Sequence, residues 1–208
     1  LDGLLPEGGW RCGSLVEWLV PTEGSGAESL VFGSLRHSIA PDGLLMVVDP
    51  GREFYPPAAS RLGVDLHRMI VDRPARSEDV LWTIEQCLRC PGVAAVVGWP
   101  QIRNDVEFRR LQLAAESGTA LGFLFRSAQV RSQPSWADLR LLVDFPPPPE
   151  KPPPASRQTH RRLCVKLLRY RGVACGGGFG LEIDDETGSV RLDSRMAAPA
   201  SSVYAAGA

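Results

Sequence analysis

Short, almost continuously apolar runs alternate with amphipathic stretches through the first two-thirds of the chain. The runs are residues 14–20 (SLVEWLV), 44–49 (LLMVVD), 93–97 (VAAVV), 120–125 (ALGFLF) and 139–145 (LRLLVDF). Each reads as a strand, and the lack of clean alternation is that of strands buried on both faces, as in a parallel sheet covered by helices. Between them the spacing predicts a helix over residues 29–39, with Val31, Leu35 and Ile39 on one side. Another runs over 105–117, with Phe108, Leu111 and Ala115 inward and Gly118 as its stop. A third starts at Ser77, which can cap it, and carries Glu78 and Asp79 in its first turn beside the positive helix end. It lines up Val80, Leu81, Ile84 and Leu88 and ends before Pro91. Repeated strand–helix units of this kind predict an α/β fold with a mostly parallel sheet and right-handed crossovers.

The pattern changes at residue 146. Seven of the nine positions in residues 146–154 (PPPPEKPPP) are proline, which excludes regular helix and sheet and favours an extended spacer. Beyond it, residues 163–171 and 179–184 read as strands separated by the Gly176-Gly177-Gly178 break, and Thr187-Gly188 turns the chain toward Val190-Arg191-Leu192. The expected organisation is a core over 1–145, a linker over 146–156, a small basic β-rich appendage over 157–196 and a disordered tail over 197–208.

Composition sets bounds on function. The 208 residues are 44% hydrophobic and 23% charged, and 23 Lys and Arg against 24 Asp and Glu give a net charge of -1. Any nucleic-acid contact must therefore come from a local patch. No apolar stretch approaches the roughly 18–20 residues of a membrane span, and no secretion signal opens the chain; a cytoplasmic protein is expected. The first residue is Leu, so a preceding segment is expected as well. Five scattered cysteines do not make a disulfide framework. Cys87 and Cys90 form a C-x-x-C at a helix end with no second pair, and read as small buried hydrophobes. His37, His67 and His160 stand in no ligand pattern, and neither a nucleophile elbow nor a zinc-binding helix motif appears.

One segment has the context of a phosphate-binding loop. The motif G-x-x-x-x-G-K-[ST] frees backbone N–H groups to face phosphate, while its lysine neutralises charge and its hydroxyl binds magnesium. Here strand SLVEWLV leads through Pro21-Thr22-Glu23-Gly24-Ser25-Gly26-Ala27-Glu28 into a helix. Pro21 takes the place of the first glycine, Ala27 that of the lysine and Glu28 that of the hydroxyl; Gly26 keeps its role, with Gly24 beside it. Losing the lysine removes about 1.5–3 kcal/mol of charge-assisted contact. A carboxylate about 4 Å from phosphate adds roughly 4 kcal/mol of repulsion at an effective dielectric near 20.

The order LDGLLPEGGWRCGSLVEWLVPTEGSGAESL resembles the opening of RecA-type recombinases, and the resemblance continues through LLMVVDPGREFYPPAASRLGVDLHRMIVDRPARSEDVLWTIEQCLRCPGVAAVVGW. It covers about residues 1–145 and implies a RecA-like fold with a proline-containing helix and an LGVD-like turn at 62–65. It also implies that the catalytic glutamate corresponds to Gly51 and the Walker B acid to Gly98. With the lysine, hydroxyl, base and acid all replaced, ATP hydrolysis is not expected, and no catalytic residue, cofactor or metal is assigned. Residues 108–118 (FRRLQLAAESG) and 120–126 (ALGFLFR), with WADLRLLV and VKLLRYRG, resemble the ImuA family, the RecA-like, SulA-related components of bacterial mutagenesis cassettes. That resemblance implies a non-catalytic role in SOS-induced translesion synthesis. It implies as partners an ImuB-like Y-family polymerase homologue and an error-prone DNA polymerase, with a RecA filament as a further one. A RecA/RadA-like ATPase and a SulA-like cell-division inhibitor are the alternatives.

Candidate contact residues for DNA or a partner are Arg109 and Arg110 on a helix and Arg126 at a strand's C-terminal end. Arg161, Arg162, Lys166, Arg169 and Tyr170 join them, within a run of six Lys/Arg and no acid from Arg157 to Arg171. Such a run suits phosphate, a protein partner or a solvated strand face.

Overall fold

The computed structural model describes residues 8–22, 24–38, 42–145, 160–184 and 187–193. The proline-rich spacer, Arg157 and the tail lie outside them, as do Asp185 and Glu186.

Six strands run parallel: β1 (Leu15–Val20), β2 (Leu44–Val48), β3 (Met69–Asp72), β4 (Val93–Gly98), β5 (Leu121–Ser127) and β6 (Leu139–Asp144). Three more, β7 (His160–Tyr170), β8 (Val173–Asp184) and β9 (Val190–Leu192), continue the same sheet antiparallel, in the order β3-β2-β4-β5-β1-β6-β7-β8-β9. The fold is thus mixed α/β with a large, mostly parallel sheet. The strands set apart in the sequence as an appendage are hydrogen-bonded edge to edge with the core strands, through β6–β7.

Among the described residues, four α-helices flank the sheet: α1 (Ala27–Ser38), α2 (Pro56–Arg61), α3 (Ser77–Arg89) and α4 (Asp105–Ser117). Leu30, Val31, Phe32 and Leu35 of α1 and Ala59 of α2 pack with Val16, Trp18, Val47, Val97 and Phe123 on one face. Val80, Ile84 and Leu88 of α3 and Phe108, Leu111 and Ala115 of α4 pack with Leu15, Val48, Val96 and Leu124 on the other. β1 is buried along its whole length because the pleat sends alternate residues into these two cores. The inner faces of β7 and β8, carrying Leu163, Val165, Leu167, Phe179, Leu181 and Ile183, join only the α1–α2 core.

Several local expectations are corrected. Ser77 is the first residue of α3 rather than its cap, which is Arg76 without a side-chain cap bond. Helix α1 opens at Ala27, two residues before the predicted start. The glycine run is no break: Gly176–Gly178 lie inside β8, and the chain reverses instead at Arg171-Gly172. Both turn residues have positive φ, 46° and 83°, as a type I′ hairpin requires. Strand β3 and its preceding turn Leu66–Arg68 were not foreseen from periodicity.

Candidate functional site

A cavity of about 620 Å³ opens outside the carboxyl ends of β1, β2 and β4, where open α/β sheets place their ligands. Its lining includes Gly24, Gly26 and Glu28 from the phosphate-type loop and Asp49, Gly51 and Glu53 from the turn after β2. The walls are aromatic. Phe32 stacks on Phe54 with centroids 5.0 Å apart, and Trp99 stacks on Phe125 at 5.4 Å. The rim carries Tyr55, 66% exposed, and the exposed Arg161 of β7.

Asp49 is buried and already engaged. Its Oδ1 accepts from the Glu53 N–H at 3.1 Å and its Oδ2 from the Phe54 N–H at 3.3 Å, while Arg73 Nε approaches Oδ2 at 3.2 Å. This carboxylate therefore shapes the turn that follows β2, in which Arg52 takes a positive φ of 59°. Among the described residues that line the cavity, three carboxylates, Glu28, Asp49 and Glu53, stand beside one guanidinium, Arg161, and Asp49 is paired with Arg73. Glu28 places a negative charge at the loop where a polyphosphate needs a positive one.

The positions aligned with ATP-handling residues sit differently from one another. Ala27 is fully buried and belongs to the core, so its methyl packs where a lysine stem would have to pass. Gly26 has φ +91°, and a Cβ there would stand 3.0 Å from Leu163 Cδ1 of β7. The C-terminal strands thus close over the loop. Gly51 lines the cavity with room for a side chain, its nearest neighbour being Glu53. Gly98 faces the opposite core, where a Cβ would meet Ile84 Cδ1 of α3 at 2.8 Å. The residue aimed into the cavity from that strand end is Trp99. Sequence reasoning missed Glu53, although it stands two residues past the supposed base position, and did not weigh Trp99 as a wall.

Most of the basic candidates have partners within the protein. Arg126 is 7% exposed rather than a solvated strand end. Its Nη1 donates to Glu17 Oε1 at 2.8 Å, and its Nη2 donates to Gln133 and to the Ile102 carbonyl. Arg140 Nε lies 2.7 Å from the other Glu17 oxygen, and Ser135 Oγ donates to it at 2.7 Å. Burial pulls the Arg140 guanidinium below its ordinary pKa, a shift that Glu17 opposes. Arg110 pairs with Glu85 at 2.5 Å, Arg162 with Asp193 at 2.9 Å, and Lys166 with Asp144 at 3.0 Å. Arg169 donates to the Ser135 carbonyl at 2.9 Å, and Arg109 stacks 4.8 Å over Trp136. Tyr170 is half-buried with the Arg171 guanidinium 5.6 Å over its ring. The run around β7 is therefore no continuous basic stripe.

Cys87 and Cys90 are free thiols, and burial pushes the Cys87 thiol up to about 11. Among the described residues, no helix is long and apolar enough to cross a membrane, and no cluster of three His, Cys, Asp or Glu is arranged to hold a metal.

No family model matches the chain. It is 32% identical to RecA of Chlorobaculum parvum over 97 residues, which are 47% of this chain and 28% of that protein. It is 31% identical to RecA of Chlorobium limicola over 97 residues, or 47% and 27% of the two chains. The cell-division inhibitor SulA of Edwardsiella piscicida is 31% identical over 67 residues, 32% of this chain and 40% of that one. The chain thus spans less than a third of the RecA relatives. Among solved structures, SulA from Pseudomonas aeruginosa aligns with a TM-score of 0.44 and 16% identity, over 54% of this chain and 97% of that one. These partial similarities relate the chain distantly to RecA and SulA.

Proposed function

We propose that this chain is a RecA-like protein without ATPase activity, acting as an accessory factor in damage-induced, mutagenic translesion DNA synthesis. It works by protein–protein contacts with an ImuB-like Y-family polymerase homologue and an error-prone DNA polymerase, and with a RecA filament, in the cytoplasm at the nucleoid. The observation that carries the loss of catalysis is the loop itself, where buried Ala27 and the carboxylate of Glu28 stand in place of the lysine and hydroxyl that hold triphosphate and magnesium. The RecA and SulA relatives support a DNA-damage setting, and the RRLQLAAE and ALGFLFR segments support the translesion role. Incubation with ATP, Mg²⁺ and single-stranded DNA is expected to give no turnover above a protein-free control. Turnover, or saturable micromolar nucleotide binding, refutes this reading. Deleting the gene is expected to abolish damage-induced mutagenesis and leave division normal. The SulA relative favours a second reading, a division inhibitor, which filamentation on overexpression would support.

A further inference from the structure

On the far side of the sheet from the nucleotide-type cavity lies a second, smaller groove of about 280 Å³. It is built where α4, the segment leading into β6 and the β7–β8 hairpin meet, at the amino ends of the parallel strands. Arg109, Arg169 and Arg171 line it around Trp136, with Asp138 as the one acid. Trp136 is 41% exposed in spite of its size.

Each guanidinium is held in place. Arg109 lies over the Trp136 ring and donates to Gln112, which in turn donates to Glu116. Arg169 is fixed by the Ser135 carbonyl, and Ser135 is itself anchored on Glu17. Arg171 occupies the first position of the type I′ turn, its backbone N–H donating to the Asp138 carbonyl at 2.7 Å. A non-glycine residue at φ 46° is unfavourable, and Asn or Gly is the usual occupant of that position. The turn therefore carries a guanidinium at a place where backbone preference argues against arginine. Asp138 is turned toward the strand backbone, its Oδ2 accepting from the Leu15 N–H at 2.9 Å, and its single charge stands against three guanidiniums. Behind the floor, Arg126 and Arg140 share the single carboxylate of Glu17.

We propose that this groove docks an acidic segment of a partner protein, with carboxylates on Arg109, Arg169 and Arg171 and an aromatic or aliphatic side chain packed against Trp136. Preorganised guanidinium forks match carboxylates bidentately, and their low residual freedom limits the ordering cost of binding. A strand of nucleic acid fits less well. It needs a basic track and a free stacking platform. Here Arg110, Arg162 and Lys166, which would continue such a track, are paired with Glu85, Asp193 and Asp144, and one face of the Trp136 ring is covered by Arg109. The inference is independent of whether the other cavity has lost its ATP chemistry.

The test is a selection of displayed random peptides on the full chain, counter-selected on the Arg109→Gln/Arg171→Asn variant. That variant keeps a good helix former in α4 and gives the turn its preferred residue, so it removes two guanidiniums while favouring the fold. Enriched peptides are expected to carry acidic residues around an aromatic or leucine. By fluorescence anisotropy the best of them is expected to bind at least ten-fold more weakly to this variant and to Trp136→Ala, and to weaken with added salt. Melting curves establish that both variants are folded. Failure to enrich any peptide, enrichment of non-acidic peptides, or affinity indifferent to both variants overturns the proposal. So does a labelled oligothymidylate that binds through the same residues more tightly than any selected peptide, which would make the groove a nucleic-acid site.

Discussion

Replacing Glu17 with alanine tests whether Arg126 and Arg140 serve the fold or wait for a ligand. Glu17 has no solvent exposure, and both guanidiniums reach it at 2.7–2.8 Å from strands on either side of β1. Removing the carboxylate leaves two buried cations facing each other without a counterion, and strips Ser135 Oγ of its acceptor. Breaking a buried pair from one side costs about 3–5 kcal/mol. For a chain of this size each kcal/mol lowers Tm by about 2–4 °C, so Glu17→Ala is expected to melt roughly 6–20 °C lower. Set against a typical total stability of about 5–15 kcal/mol, the variant stands near the threshold of folding.

The companion variant Arg126→Ala removes one cation and leaves Glu17 its contacts with Arg140 and Ser135, so its loss is smaller. The double variant is less destabilised than the sum, because deleting Arg126 also removes a cation that Glu17→Ala would strand; a coupling of about 0.5–3 kcal/mol is expected. Calorimetric melts of the four proteins in one buffer provide the cycle. If Glu17→Ala melts within about 2 °C of the wild type, the triad carries no structural load, and if the two losses simply add, Glu17 and Arg126 are not coupled. Arg126 would then return to the candidates for ligand contact.

Three further outcomes follow from the geometry. Ala27→Lys/Glu28→Thr, which restores the lysine and hydroxyl of the phosphate loop but leaves Pro21 at its first glycine, is expected to show no ATP turnover in a phosphate-release assay. It is also expected to lose about 1–3 kcal/mol by overpacking the core at Ala27, and turnover above the parent protein refutes this. In alkylation at pH 8 followed by peptide mass spectrometry, Cys90, which is exposed, is expected to react well before Cys87, whose thiol is held neutral by a pKa of about 11; equal rates contradict the burial assigned to it. Acid is expected to destabilise the protein through Asp144 and Glu107. The Lys166 hydrogen bond holds Asp144 below the usual carboxylate range, and burial would raise Glu107, but hydrogen bonds from Arg103 outweigh it. Both carboxylates are depressed in the folded state, so their stabilisation is present above pH ~4 and lost as pH falls through the folded values. Melts that are flat from pH 6 to about pH 3 refute this, and Lys166→Ala is expected to weaken the acid dependence.

The parallel core was legible because burial on both faces writes continuous apolar runs, and α3 and α4 because one-sided burial writes a helical period. What was illegible lay in pairings between distant residues. Arg126 looked like a solvated strand end since its partner Glu17 lies 109 residues away. The glycine run looked like a break because glycine triplets usually mark turns, yet Gly178 sits under the Val165 carbonyl, where a Cβ would come within 3.1 Å. β3 escaped because MIVD is four residues long and only half-buried at the sheet edge, too short for a period. Of the candidate site, the loop glycines and the replaced Ala27 and Glu28 were readable from motif spacing. Glu53, Trp99 and the approach of Leu163 depend on how β2, β4 and β7 are set side by side.

That last approach bears on how the cavity arose. Were the loop merely an eroded phosphate site, its positions would be expected to stand open. Instead Gly26, Ala27 and Gly98 each have a structural use that needs no nucleotide. Gly26 supplies a positive φ and admits Leu163, Ala27 completes the core beneath α1, and Gly98 leaves space for Ile84 on the far face. Restoring any single catalytic group therefore meets packing as well as missing partners: a lysine at 27 enters the core, and a carboxylate at 98 points away from the cavity. Gly51 differs, since it is open to solvent beside Glu53 and a side chain there would meet no packed core. Gly26 is thus fixed by packing against Leu163 that requires no phosphate.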